Sequence, residues 1–492
     1  MVDKIVIFSD TVAPGGQVSG YRFRSLSGRI GAPGRHPGPN GLIEEDHRIM
    51  TNHVSRRSLI KGAAGVAAGA AALGVSKRSQ AFPAPAVIKQ TGSQVNVVFW
   101  SSFGGKNGEI EQEVIRRFNE SQQDVVIEHQ FQGTYEETAQ KIVAALQARQ
   151  APDMSVLSEA NWFRFYANEY LAAMDDFIAS EELDTSDYVE SFLTEGQRQG
   201  KQWWMSVARS TPLFYYNKEK WAEAGLEDRG PQTYTEFSEW GPKLVKKSGS
   251  DVSQWGFLHA PATDYISWYF QGTAWAFDGA YSDDEFNILI DEPNTVNAGE
   301  WLRSTVAEGW ATSSADRTTD FINGVTASMM QSTGQLGRLS TEATFDVGAA
   351  FLPAEINPGC PTGGAGIGIL STAPTEKQLA AFKYIAFATS PEITTYWSQN
   401  TGYMPVRKSA IESPEMQAFY EENPNFRVAV EQLATTKPQD PARRFIPAGD
   451  TIIGKGLELL TVNQAEVQPT FEDLKTTLEE EAEPILEQVS AI

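Results

Sequence analysis

Cysteine and histidine are almost missing from this chain. Among 492 residues there is one cysteine, Cys360, and five histidines, of which only His129 and His259 lie beyond residue 81. One thiol can form neither an intrachain disulfide nor a multi-thiolate metal site, and two histidines would leave any metal to carboxylates, so no metal is expected. Positive charge is also scarce, with 40 Lys and Arg against 63 Asp and Glu for a formal charge of -23. The first 81 residues hold 11 basic and 5 acidic side chains, which leaves 29 against 58 in the remainder, net -29. Such a field repels nucleic acid and anionic membrane surfaces, and no nucleic-acid partner is expected. After residue 81 no stretch approaches the roughly 18 consecutive apolar residues of a membrane span.

What is present begins with a leader. Residues 55–61 read Ser-Arg-Arg-Ser-Leu-Ile-Lys, followed by an uncharged Ala/Gly-rich run from Gly62 to Ser76 and then Lys77-Arg78. Paired arginines ahead of a mildly apolar segment with a basic flank resemble a twin-arginine export signal. Ser79 and Ala81 offer small side chains at a cleavage site, so residues 50–81 are read as a signal peptide and the mature chain as starting near Phe82. The apolar run is shorter than the roughly 20 residues a spanning anchor needs. Residues 1–49 carry no apolar periodicity, and with Met50 as a natural initiator they read as a mis-assigned upstream extension, disordered if translated. The expected location is the periplasm or the outer face of the cell membrane.

The length suggests two or three packed units. From Val95 the pattern alternates strand and helix: Val95–Trp100, a helix marked by Ile110, Val114 and Phe118, Val125–His129, a helix with Ala139, Ile142, Val143 and Leu146 on one stripe, then Met154–Leu157. This is the start of a doubly wound α/β sheet. Crossings between two lobes fit at Ser210-Thr211-Pro212, along the Gly-rich segment Gly363–Leu370, and at Gly402–Val406. The division expected is 92–209 plus 366–404 for the first lobe and 213–362 plus 408–492 for the second. A last amphipathic helix is predicted over Thr470–Val489, with Phe471, Leu474, Leu478, Ile485 and Leu486 on its apolar stripe.

Motifs for catalysis or nucleotide chemistry are incomplete. Gly449–Gly456 reads G-D-T-I-I-G-K-G, but the magnesium-binding Ser or Thr of a P-loop is absent and no strand precedes it. Gly364, Gly366 and Gly368 have the wrong spacing for a dinucleotide fingerprint. No G-x-S-x-G elbow occurs. No catalytic residue and no cofactor are assigned. Aromatic clusters are more informative: Trp203-Trp204, Tyr215-Tyr216, and Tyr265 with Trp268, Tyr269 and Trp275. Each either packs in a core or stacks on the apolar face of a polyol.

Phe99-Trp100, Gly133-Thr134-Tyr135, Ala151-Pro152-Asp153, the run Ser210–Lys218, Gly363-Gly364-Ala365 and Thr401–Pro405, in this order, resemble the extracellular solute-binding proteins of ABC importers, in the cluster that includes glycerol-3-phosphate-binding periplasmic proteins. The resemblance implies an α/β, two-lobed periplasmic-binding-protein fold, maltose-binding-protein-like, with three inter-lobe crossings. It also implies hinge closure over a small ligand, a membrane permease with its ATPase as partners, a monomer, and no enzymatic turnover. By the same resemblance, Tyr135 and Glu159 line the first-lobe wall, with Glu159 accepting ligand hydroxyl hydrogens. Ser210 sits at the first crossing, Ser332 reaches from the second lobe, Gly364 admits close backbone approach and Tyr403 lies on the third crossing. Arg444 matches an arginine that meets phosphate, its planar fork suiting two oxygens; the alternative is that Arg443 or Arg444 pairs with a surface carboxylate. The family's tryptophan segment is replaced here by Ala260–Tyr265, so either Tyr265 takes over as the stacking platform or the pocket differs. The ligand classes left open are glycerol-3-phosphate, a glycerophosphodiester, or a neutral sugar, with a secreted hydrolase of phosphodiesters or glycosides as the rival of another class.

Overall fold

A computed structural model describes residues 94–486, and the leader and upstream segment lie outside them. Val95–Ser101 is a strand because its alternate residues Val97 and Phe99 are wholly buried. It pairs in parallel with Val125–Phe131, Val95 opposite Val125 through Ser101 opposite Phe131, and on its other side with Met154–Ser158. Gly363–Ile369 then runs antiparallel to Met154–Ser158, and Met205–Ser210 antiparallel to Gly363–Ile369, which completes a five-stranded sheet. The helix Gly105–Ser121 buries Ile110, Val114 and Phe118 as its spacing predicts. In the helix Tyr135–Gln147 the buried residues are Thr138, Ala139 and Ile142, whereas Val143 is exposed, so the apolar stripe is narrower than expected.

The chain leaves this sheet at Thr211. Pro212–Asn217 continues directly into a second five-stranded sheet, ordered Ala311–Ser313, Phe257–His259, Ser328–Ser332, Pro212–Asn217, Val347–Ala350. In each sheet the fourth strand is the one that has just arrived from the other lobe, and it runs antiparallel to the third. The two lobes therefore exchange strands and share a continuous apolar core from Val97 and Ile367 to Tyr215 and Met329.

The passage Gly402–Val406, expected as the third crossing, stays with the first sheet: Met404 N–H donates to Arg209 O at 2.8 Å and Val189 N–H to Val406 O at 3.0 Å. The transfer comes later, across the short helices Lys408–Ile411, Pro414–Glu422 and Pro424–Gln432, and Asn425 Nδ2 bonds Val347 O at 2.8 Å on the second sheet. Thr436–Lys437 pairs with Cys360–Pro361 between the lobes. The last helix spans Val467–Ala482 with Phe471, Leu474 and Leu478 buried, and gives way to a 3-10 turn at Glu483–Ile485, where Pro484 cannot continue the α-helical bonding. No helix among the described residues is long and apolar enough to cross a membrane.

Candidate functional site

A cavity of about 160 Å³ opens between the two sheets, against the roughly 10–15 Å³ that one water occupies. Its first-lobe wall rests on two local devices. Thr134 caps the helix Tyr135–Gln147 reciprocally with Glu137, Thr134 Oγ1 accepting from Glu137 N at 3.2 Å and Glu137 Oε2 accepting from Thr134 N at 2.8 Å, and this sets Tyr135 as the first helical residue, facing the cavity. The turn after Met154–Ser158 is held by Glu159 N–H donating to Gly364 O at 3.2 Å. Gly364 has φ +111°, and a Cβ there would lie 2.0 Å from Ala208 O, so the crossing strand admits only glycine at this point.

The second-lobe wall is aromatic. Tyr265 is held in the left-handed region, φ 58° and ψ 42°, at the start of the helix Ile266–Ala276. A bulky side chain at positive φ costs on the order of 1–3 kcal/mol, and here the conformation places its ring 6.2 Å from that of Tyr135 on the opposite wall. Trp268 and Tyr269 follow with ring centroids 5.0 Å apart, and Trp268 Nε1 donates to Thr362 O at 3.0 Å. Tyr403 stacks on Trp397 at 5.9 Å and closes the aromatic lining beside Phe103. Burial raises the phenols of Tyr135 and Tyr265 well above their ordinary range, so both remain hydrogen-bond donors.

Carboxylates outnumber cations along these walls. Arg443 is the cation among the described lining residues and is already engaged: Nη1 stands 3.2 Å from Glu159 Oε1, Nη2 lies 2.6 Å from Asp450 Oδ1, and Nε donates to Ser267 Oγ at 3.1 Å. Glu159 Oε1 also accepts from Gln439 Nε2 at 3.0 Å. Burial pushes the Glu159 carboxyl above the usual carboxylate range against the opposing pull of Arg443 and Arg209. Asp264 is held by Arg317, which donates to Asp264 Oδ2 from Nε at 3.0 Å and from Nη2 at 2.5 Å. Glu136 completes the acidic lining.

The model of the family described as "Bacterial extracellular solute-binding protein" matches residues 113–451, more than two thirds of the chain. The chain belongs to that family. Members of ABC import systems of this kind bind a small ligand and work with permease and ATPase subunits. The chain is 26% identical over 403 residues to the sn-glycerol-3-phosphate-binding periplasmic protein UgpB of Yersinia pseudotuberculosis, covering 77% of this chain and 90% of that one. It superposes on UgpB from Mycobacterium tuberculosis, solved in complex with glycerophosphocholine, with TM-score 0.76 and 42% identity, over 80% of this chain and 99% of that one. Maltose-bound MalE3 of T. maritima, at 20% identity and TM-score 0.68 over 78% of this chain and 99% of its own, shares the fold.

Within this solute-binding fold, Tyr135, Glu159, Ser210, Tyr265, Ser332, Gly364 and Tyr403 all line the one cavity. Arg444 does not. It lines a separate groove, with Glu195 Oε1 3.6 Å from its Nη2, while its neighbour Arg443 faces the cavity. Consecutive residues of the short helix Pro441–Arg444 project about 100° apart, which is why a one-residue difference selects the other side. Both arginines do stand beside carboxylates, Arg443 beside buried Glu159 and part-exposed Asp450 and Arg444 beside buried Glu195, so the alternative of carboxylate pairing holds, with partners at the cavity wall and in the interior. Trp268, Tyr269 and Asp450 were not singled out from the sequence as site residues. The aromatic cluster carried a signal for the first two. Asp450 sits in the glycine-rich G-D-T-I-I-G-K-G run, which forms the helix Gly449–Val462 and not a phosphate loop. Trp204 and Tyr215 are wholly buried core residues, Trp204 stacked on Trp162 at 6.0 Å. Cys360 is buried, and burial pushes its thiol up, away from the reactive thiolate.

Proposed function

We propose that the chain is the non-catalytic, monomeric capture component of an importer for a glycerophosphodiester with a cationic head group, exported by the twin-arginine route and closing its lobes on the ligand. The lobes are taken as the two sheets with their helices, joined by the three passages described above. The observation that carries the ligand assignment is the lining: Glu136, Glu159, Asp264 and Asp450 face one arginine whose donors are already shared with two of them. A phosphate monoester would bring up to two negative charges into this field, which opposes it. A zwitterion brings one negative charge for Arg443 and one positive charge for the aromatic and acidic walls. A quaternary ammonium against tyrosine and tryptophan faces gains about 0.5–2 kcal/mol. The glycerophosphocholine complex of the Mycobacterium tuberculosis relative supports the same reading. Ser210 and Ser332, which line the same cavity, would meet the glycerol hydroxyls.

The test is calorimetric titration of the mature protein with glycerophosphocholine, glycerol-3-phosphate and maltose. Glycerophosphocholine binds stoichiometrically without being hydrolysed, glycerol-3-phosphate binds about tenfold more weakly or worse, and maltose gives no heat. Tyr265→Ala weakens glycerophosphocholine about tenfold, the loss of one such aromatic contact. Tighter binding of glycerol-3-phosphate, or turnover of any of the three, overturns the assignment.

A further inference from the structure

The helix Pro441–Arg444 has a second side. Opposite the cavity lies a groove of about 1000 Å³ between the segment Ser191–Arg198 of the first lobe and the segments around Phe286 and Phe445 of the second. Behind its inner end two guanidinium groups, those of Arg209 and Arg444, meet one carboxylate, Glu195, and a third, that of Arg198, lies on the groove beside them. Arg209, wholly buried, donates from Nη2 to Glu195 Oε2. Arg444 stands 3.6 Å from the other oxygen, beyond hydrogen-bond reach. Arg198 and Arg444 flank the same ring, that of Phe445, at 5.1 and 4.6 Å from its centroid.

This cluster is short of acceptors. Arg444 is about nine-tenths buried, yet donates to no acceptor among the described residues, and its Nε has neither partner nor solvent. The Nε of Arg198 and both Nε and Nη1 of Arg209 are equally orphaned, and Glu195 Oε1 accepts no bond. Burial and the charge of Arg444 pull the Arg198 guanidinium down to about 10, which leaves it charged at neutral pH. Three positive charges have one carboxylate in contact, Glu195, and Glu159, already engaged by Arg443, only at longer range, which leaves positive charge in excess in a partly desolvated place where unpaired buried charge is strongly unfavourable. Lys437, also on the groove, is held over the Trp275 ring at 4.1 Å. Asp284 and Glu285 stand exposed at the rim, where salt screens them. Asp440 is turned away, accepting from Gln271, Trp275 and Tyr281.

We infer that this groove is a second binding site, for a small oxyanion of the phosphate type, held by Arg444 from one lobe and Arg198 from the other above the Arg209–Glu195 pair. Planar guanidinium forks with free donors suit tetrahedral oxyanions, and a bound anion would supply the acceptors the cluster lacks. The site is chemically distinct from the cavity, whose acidic lining opposes the same anion. Because its two arginines come from different lobes, the anion bridges them.

The experiment is titration of the mature protein with inorganic phosphate, followed by thermal unfolding at constant ionic strength with chloride as the counter-titrant. A glycerol-3-phosphate arm separates a free phosphate from an esterified one. Phosphate raises the unfolding temperature saturably. Arg444→Gln and Arg198→Gln each weaken that response by about 10- to 100-fold, the loss of a charge-assisted hydrogen bond. Tyr265→Ala leaves the phosphate response intact while weakening glycerophosphocholine, which separates this site from the proposed function of the cavity. A phosphate response equal to that of chloride overturns the inference. So does one that survives both arginine substitutions, or one that disappears with Tyr265→Ala.

Discussion

The two lobes are built on the same five-strand plan but treat charge differently. The first-lobe wall is made of turns: Tyr135 follows a capping box, and Glu159 hangs on a backbone bond to Gly364. Its carboxylate has no cation of its own in the cavity and reaches across to Arg443. The second-lobe wall is made of helix starts, Ile266–Ala276 and Gly449–Val462, and its acids come with partners, Asp264 with Arg317 and Asp450 with Arg443. The first lobe thus contributes an unbalanced acid and the second the means of balancing it. That division makes the polar network a property of the two lobes together.

Four changes would break or sharpen this contrast. The largest effect is expected from Arg443→Ala, which strands Glu159 as a buried acid and leaves the part-exposed Asp450 without its cation; breaking a buried pair in this way costs about 3–5 kcal/mol. Urea denaturation should show that loss and titration calorimetry the loss of glycerophosphocholine binding. Arg444→Ala, which relieves an overcharged cluster, should be neutral or stabilising. Equal losses for the two would dissolve the distinction between the sides of the helix.

Next comes acid. His259 in the second sheet is wholly enclosed, its ring 2.7 Å from Thr305 Oγ1, and burial depresses its imidazole to about 3. The unfolded chain takes up a proton near pH 6.5 that the folded chain refuses until about pH 3, so stability present above 6.5 is lost as pH falls through that window. By pH 4.5 the loss amounts to about 2–3 kcal/mol. His129 in the first lobe has a different neighbour, its Nε2 standing 2.9 Å from Glu111 Oε2. Hydrogen exchange on acidification should therefore open the second lobe first, and His259→Asn should flatten the difference. An effect comparable to that of acid, or smaller, is expected from Gly456→Ala, whose new Cβ would stand 2.4 Å from Leu474 Cδ1 between two packed helices. Displacing that side chain costs about 1–3 kcal/mol by chemical denaturation, with ligand affinity unchanged.

Much of this was legible from residues alone, because strands and helices follow local periodicity. Val95–Ser101, Val125–Phe131 and Met154–Ser158 appear where alternation and apolar runs place them, and Ile110, Val114 and Phe118 fall on one buried stripe. The crossing at Thr211 was visible as a break before an aromatic run. The later crossing was misplaced because Gly402 and Pro405 signal a turn without saying which sheet the turn faces, and that is decided by Met404 bonding Arg209. Which arginine faces the cavity is not legible for a similar reason: a four-residue helix gives no periodicity from which to orient Arg443 and Arg444. Asp450 was hidden in a motif read for its glycines, and Trp268 in a helix buried all round, where stripe and site cannot be told apart.

Gly364 has a consequence for how such a pocket can change. The residue belongs at once to a strand passing between the lobes and to the lining, and a single added carbon would collide with the carbonyl of Ala208. The first-lobe face is therefore frozen at that point by the architecture of the connection. Drift toward a new guest has to be written into the aromatic side opposite, where Tyr265 and its neighbours can be exchanged without dismantling the molecule.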